Sequence, residues 1–323
     1  MIPIRDTIPT KTYPIVNNAL IAINVVFFLV ELSQGPGLER FIYMYGLVPA
    51  RYTVPHIASY FTTGQQLASL ITFMFLHGGF WHLLGNMWSL YIFGDNIEER
   101  LGPLRYLAFY LICGLTSGLS HLAINSHSTM PTIGASGAIA GVMGAYFILF
   151  PKAKILTLIP IFFIPYFMEI PAFFFLGIWF VFQFLSAAGS HGQMAGIAWW
   201  AHIGGFIFGI IFLKLFLALP GAGVSDRLRR ITEKKKSYRL QVIRPVGMAN
   251  DPNLYGTINI TPFESIAGTH KMVNIPWGFQ KRLFKVIVPP GMKEGSLLKL
   301  KGLGKDAPHG QRGDLLLKVA IQP

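Results

Sequence analysis

The sequence predicts an all-α polytopic membrane protein, a bundle of six helices, followed by a small all-β, sandwich-like domain. Three observations carry that expectation. Of the 323 residues, 52% are hydrophobic and only 13% charged, with mean hydropathy +0.49, a balance that soluble domains rarely show. Apolar runs of the roughly 18 or more residues that a bilayer crossing needs recur between Ile15 and Leu219. From about Leu254 the pattern turns to short alternating segments punctuated by Gly and Pro, which reads as strands.

Six spans are placed at residues 15–32, 80–97, 105–122, 135–150, 171–188 and 197–219. Arg5, Asp6 and Pro9 precede the first span without a cleavage pattern, so that span is expected to stay as an anchor. Gly78-Gly79 breaks what would otherwise be one long apolar helix, so residues 68–76 are expected as a short element in the membrane surface. Arg100 and Arg105 lie between spans two and three, and Lys152 and Lys154 between four and five. Residues 126–132 and 190–196 carry no Lys or Arg. Basic links stay on the cytoplasmic side, which puts both termini there. Arg40 and Arg51 in the long first link depart mildly from the pattern.

The domains follow as a six-span unit at residues 1–220, a basic juxtamembrane linker at 221–253 and a β-rich domain at 254–323. The chain holds 27 Lys and Arg against 14 Asp and Glu, and 19 against 7 of these fall from Lys214 onward. The cluster Arg227, Arg229, Arg230, Lys234, Lys235 and Lys236 suits anionic inner-leaflet lipids, at about 1 kcal/mol per residue near the surface. Nucleic acid is not expected, since no aromatic-interleaved basic motif or zinc-finger spacing accompanies the charge. The one cysteine, Cys113, excludes disulfides within the chain and thiolate metal sites. No metal or organic cofactor is implied, and no phosphate-cradling loop is present.

Polar side chains inside a bilayer are costly and mark functional candidates. His82 and Asn86 fall one helical turn apart on the second span, Ser136 opens the fourth, and His202 lies about one turn into the sixth. In the expected topology all four lie toward the outer face. Ser136 sits in Gly134-Ala135-Ser136-Gly137 at a helix start, where free N–H groups and the positive dipole end favour an oxyanion. A helix from Ser136 to Phe150 spans about 22 Å at 1.5 Å per residue, short of a roughly 30 Å core, which submerges the serine. Gly137, Gly141 and Gly144 share one face of the fourth span, as His202, Gly205 and Gly209 do on the sixth, and small faces let helix backbones approach. Such contact would deliver His202 to Ser136 as general base, with Asn86 and His82 as oxyanion donors. Glu31, Asp95, Glu98, Glu99 and Glu169 fall near span ends or links, so a Ser-His dyad oriented by packing is expected. Taken singly, a Ser in a Gly-rich helix or a His-xxx-Asn pair is ordinary packing. Their joint placement reverses that reading.

Over about residues 10 to 220 the chain resembles the rhomboid family of intramembrane serine proteases. The resemblance rests on His82-Leu-Leu-Gly-Asn86, Gly134-Ala-Ser136-Gly137 and Ala201-His202-Ile-Gly-Gly205-Phe-Ile-Phe-Gly209, in the family's order and spacing. It implies Ser136 as nucleophile, His202 as base, an oxyanion hole of His82, Asn86 and the Ser136 N–H, and single-span membrane proteins as substrates. It also implies a first loop, residues 33–79, lying partly in the membrane, lateral entry near the fifth span, and a covering loop at residues 189–200. Ala140 departs from members that place an aromatic ring against the histidine, and Trp199 is a candidate substitute. A bacterial inner membrane is the implied setting. The alternatives are a catalytically inactive rhomboid-like scaffold that binds membrane proteins, which usually lacks the nucleophile or base, and a transporter, which the absence of charged midplane residues and repeats disfavours.

The tail resembles the C-terminal peptide-binding domain of DnaJ-type co-chaperones, through Phe284-Lys-Val-Ile-Val-Pro-Pro-Gly291, Gly295-Ser-Leu-Leu-Lys-Leu-Lys-Gly302 and Gly313-Asp-Leu-Leu-Leu-Lys-Val319. It implies possible peptide binding. A passive stability domain is the equal alternative, because fold likeness does not establish function.

Overall fold

The computed structural model describes residues 1–161, 164–189, 198–218, 228, 232, 240–248, 251–277, 280–306 and 312–322. The chain divides into two compact units, Met1–Lys234 and Lys235–Pro323. Of the expected covering loop at 189–200, residues 190–197 lie outside the described residues, as do all six basic residues of the juxtamembrane cluster, and Trp199 and Trp200 already belong to a helix.

The first unit begins with β1 (Ile2–Asp6) and α1 (Ile15–Ser33). The first loop holds α2 (Leu38–Tyr45), α3 (Ala50–Thr53), α4 (Pro55–Ala58) and α5 (Thr63–Thr72), the last continued by a 3-10 turn, Phe73–Phe75. Then come α6 (Phe80–Leu101), α7 (Pro103–Ile124), α8 (Ser136–Leu149), β2 (Lys154–Ile161), β3 (Ile164–Pro171), α9 (Ala172–Gly189) and α10 (Trp199–Ala218). Among the described residues α1, α7, α9 and α10 are long and apolar enough to cross a membrane. The α5 segment and α6 pass the same test together but bend by 77° at their break, and α8 is a shorter apolar helix. The unit is thus a polytopic helical membrane domain with four crossings, or five if the bent pair is one.

Helix ends follow from local chemistry. Gly102 takes φ +83°, closed to most side chains, and its N–H caps α6 by donating to the Glu98 carbonyl at 2.7 Å, while Pro103 opens α7. The Glu98 carboxylate accepts from the N–H groups of Val16 (3.1 Å) and Asn17 (2.7 Å), pairing negative charge with the exposed donors of the first turn of α1. Arg51 is wholly buried in the first loop. Its guanidinium donates to the carbonyls of Met44 (3.1 Å) and Tyr43 and lies 3.7 Å over the Phe61 ring. Its charge is therefore spent on the loop's own backbone, which explains its departure from the basic-link pattern.

α8 lies at the centre of the unit, with every residue from Gly137 to Tyr146 buried. A Cβ on Gly205 would strike the Gly137 carbonyl, one on Gly209 the Gly141 carbonyl, and one on Gly144 the Phe206 carbonyl. α8 and α10 accordingly meet backbone to backbone. Cys113 is free and buried against Gly141.

The all-α expectation needs correction. β1, β2 and β3 form an antiparallel sheet in that order. The Trp88 indole N–H donates to the Pro3 carbonyl at 2.6 Å, and the Asp6 carboxylate accepts from the Tyr146 hydroxyl (2.6 Å) and Asn96 (2.9 Å). Residues 155–168 form an uncharged apolar run without clean alternation. Such runs leave helix and strand ambiguous, and in sequence this one stands only as the link between spans four and five.

The second unit is β-rich. One sheet runs β5 (Val246–Gly247), β6 (Leu254–Ile260), β10 (Leu315–Ile321), β9 (Leu297–Leu300), and the other β4 (Leu240–Val242), β7 (Thr269–Trp277), β8 (Gln280–Val288). β6–β10 and β4–β7 are parallel pairs. Ile258, Ile260, Leu315 and Leu317 of the first sheet share one core with Val273, Ile275, Val286 and Val288 of the second. β4 and β5 fall inside the stretch read as linker, because strands of three and two residues leave no periodic signal.

Thr261 and Glu264 form a capping box on the helix Pro262–Ala267, and Glu264 also pairs with buried Lys271 at 2.7 Å. Burial alone raises the Glu264 carboxyl, but the Lys271 ammonium and the Thr261 N–H outweigh it and hold it below its ordinary value of 4.5. A depressed carboxylate contributes stability fully above its unfolded pKa and loses it as pH falls through the folded one. Hydrogen exchange of β6 and β7 amides, corrected for intrinsic rates, should show protection falling below about pH 4.5. Glu264→Gln should weaken protection at neutral pH and flatten that fall; an unchanged profile would remove Glu264 as its source.

Candidate active site

Ser136 is placed from both sides. Upstream, Leu47 and Thr132 exchange N–H···O bonds of 3.0 and 2.8 Å, and the Gly134 N–H donates to the Phe73 carbonyl at 2.8 Å, so the entry to α8 is stitched to the first loop. Gly134 turns the chain at φ +125°. Downstream, α8 begins at Ser136 itself, leaving the N–H groups of its first turn without intrahelical acceptors.

The close approach of α10 brings His202 Nε2 to 2.8 Å from Ser136 Oγ. On the other side of the ring, His202 Nδ1 lies 2.7 Å from Gln183 Oε1, on α9. With an amide oxygen facing it, Nδ1 carries the proton and donates, which leaves the Nε2 lone pair for the serine hydroxyl. Trp199 stands edge-on to the imidazole with ring centroids 6.1 Å apart, and Trp179 lies tilted at 6.1 Å.

Asn86 is buried on α6, and its Nδ2 has no hydrogen-bond partner. A Cβ on Gly134 would lie 3.6 Å from that nitrogen and 2.8 Å from His82 Nε2, so both side chains face the turn before Ser136. The Gly78 N–H donates to His82 Nδ1 at 3.3 Å, which puts the ring proton on Nε2, toward the same turn. Ser136, His202, His82, Asn86 and Gln183 all line one cleft of about 520 Å³. A hydroxyl, an imidazole and an unpaired amide donor thus face one space.

The acidic candidates lie elsewhere. The Glu31 carboxylate accepts from the His77 N–H at 2.9 and 3.1 Å, Glu98 caps α1, and Glu169 pairs with Lys154 at 2.9 Å. Among the described residues no three His, Cys, Asp or Glu side chains group as metal ligands would.

Sequence reasoning missed Gln183 and left orientation of the base to packing. The signal was present: Gln183 is the only amide in α9, a helix without a charged residue, and a polar side chain there needs a partner.

Residues 64–219 match the Rhomboid domain family. The chain is 31% identical to Rhomboid protein 1, mitochondrial, of Saccharomyces cerevisiae over 201 residues, 60% of this chain and 51% of that protein. It is 30% identical to Rhomboid protease GluP of Bacillus subtilis over 138 residues, 42% and 24% of the two chains. It is also 28% identical to Inactive RHOMBOID-like protein 8 of Arabidopsis thaliana over 123 residues, 37% and 32%. The match therefore spans about half or less of these relatives. Together these matches support the rhomboid family for the membrane domain, an integral membrane domain whose relatives include named proteases and an inactive member.

Proposed function

We propose that residues 1–220 are a six-span rhomboid-type intramembrane serine endopeptidase that cleaves single-span or otherwise membrane-anchored proteins. The 2.8 Å separation of Ser136 Oγ and His202 Nε2 inside a polytopic membrane domain carries this reading. Ser136 Oγ attacks the scissile carbonyl as its proton passes to His202 Nε2. The tetrahedral oxyanion forms against the Ser136 N–H at the start of α8, with Asn86 Nδ2 and His82 Nε2 as further donors. The imidazolium then returns the proton to the leaving amine, and water repeats the sequence on the acyl-enzyme. The basic links favour both termini on the cytoplasmic side, with Arg227 to Lys236 against anionic lipids, and the family resemblance favours a bacterial inner membrane. For the second unit, the sequence resemblance to the DnaJ C-terminal domain favours peptide binding, which would add a strand to an open sheet edge, with a passive stability domain as the equal alternative.

The competing reading is a scaffold, made concrete by the inactive Arabidopsis relative. Purified protein reconstituted in vesicles with a single-span test protein separates the two. Cleavage by the wild type and none by Ser136→Ala is expected; equal product from both overturns the assignment.

Gln183 is assigned the task of holding the His202 tautomer. A neutral hydrogen bond is worth about 1 ± 0.5 kcal/mol, so Gln183→Leu should lower kcat by roughly two- to thirteenfold with KM little changed. Gln183→Glu, which restores an acceptor oxygen, should recover most of it. Equal loss in both variants would make Gln183 a packing residue.

A further inference from the structure

The β2–β3 hairpin takes no part in the proposed chemistry. It joins the end of α8 to the start of α9, at the opposite end of the bundle from Ser136. Its strands pair in register from Lys154↔Pro171 to Ile161↔Ile164. Near the base, Ile155, Leu156 and Thr157 are buried. Along β3 the packing stops: Pro165, Tyr166, Phe167 and Met168 are all exposed, with Tyr166 at 53%, Phe167 at 49% and Met168 at 39%. Successive residues of a strand point to opposite faces, so an unbroken exposed run means that both faces of β3 are uncovered there, while Leu158 and Ile159 opposite it on β2 are half-buried. Yet residues 155–168 contain no charge. A contiguous apolar patch rimmed by polar groups marks an interaction site. Here the rim is the exposed Lys154–Glu169 ion pair at the hairpin base, with Lys152 also exposed.

We propose that the outer hairpin inserts into the bilayer leaflet at the end of the bundle opposite Ser136, and anchors that end at the headgroup–acyl boundary. Lipid is favoured over a protein partner by continuity. β3 runs directly into α9, whose opening residues Phe173 and Phe174 are exposed on a helix apolar enough to cross the membrane. Charge at the base and aromatic and aliphatic side chains beyond it is the polarity of a segment entering lipid from its surface. The edge is also suited to it. β3 is an edge strand, and Pro165 and Pro171 remove two N–H donors that would otherwise be unpaired or paired away from water. The boundary region still supplies water to the remaining donors, which the hydrocarbon centre would not.

Site-directed fluorescence on the full chain tests this. In a Cys113→Ala background, Phe167→Cys is labelled with an environment-sensitive NBD dye, with Lys152→Cys as the basal control, in vesicles with and without doxyl-labelled lipid. Blue-shifted emission at 167, quenched several-fold more by doxyl lipid than by aqueous iodide, is expected, with the reverse order at 152. Water-like emission at 167 overturns the proposal. Blue-shifted emission that doxyl lipid does not quench overturns it too, since a protein surface would then be the cover.

Discussion

His202→Ala, Ser136→Ala and the double variant should all leave the same residual cleavage of a single-span substrate in vesicles, at the background rate. The expectation follows from the shared proton. With Ser136 Oγ and His202 Nε2 2.8 Å apart, the hydroxyl is a nucleophile only while the imidazole can take its proton, and the imidazole has no other task in the attack. Groups that act as one unit are strongly non-additive: in a soluble serine protease, removing the serine or the histidine alone costs about as much as removing the whole set, roughly 10⁶ in kcat. Equal losses in all three variants, with helix content and thermal unfolding unchanged, would tie the two residues to one step. Additive losses would mean that they contribute through separate routes, and the dyad would fail. His202→Gln is the sharper control, since it keeps a polar side chain near Gln183 while removing the base.

What the sequence disclosed and what it hid divide along physical lines. The helices starting at Ile15, Phe80, Pro103, Ser136, Ala172 and Trp199 all begin within two residues of their expected positions. Apolar runs and the Gly78-Gly79 break are local signals, so they survive into the structure. The approach of α8 to α10 was legible for a related reason: a glycine face has one common use in a helix pair, and carbonyls of Gly137 and Gly141 occupy the space that Cβ atoms on Gly205 and Gly209 would need. The β1–β2–β3 sheet was hidden because β1 lies far in sequence from the hairpin it joins, Ile2 pairing with Leu158, and nothing local in five N-terminal residues announces a partner so far away. Gln183 was hidden differently. Its bond to His202 depends on the rotation of α9 about its own axis, which an apolar helix with little amphipathic contrast does not specify.

Asn86→Ala should lower kcat by about 10²- to 10³-fold, or about 2.7–4 kcal/mol, with little change in KM, if its amide binds the oxyanion. A donor that engages charge only in the transition state leaves ground-state binding untouched. The stability readout makes this prediction discriminating. Asn86 is buried and its Nδ2 is unpaired, so the folded protein bears the desolvation of a donor that satisfies nothing. Removing such a group is neutral or stabilising where its role is not structural. Asn86→Ala should therefore unfold at the same temperature as the wild type or higher while cleaving far more slowly. His82 presents its Nε2 to the same turn before Ser136, and the variant lacking both donors should lose less than the product of the two single losses, because both act on one oxygen. A fall in stability with kcat preserved would instead make Asn86 an interhelical clasp, and the oxyanion would then rest on the N–H groups at the start of α8 alone.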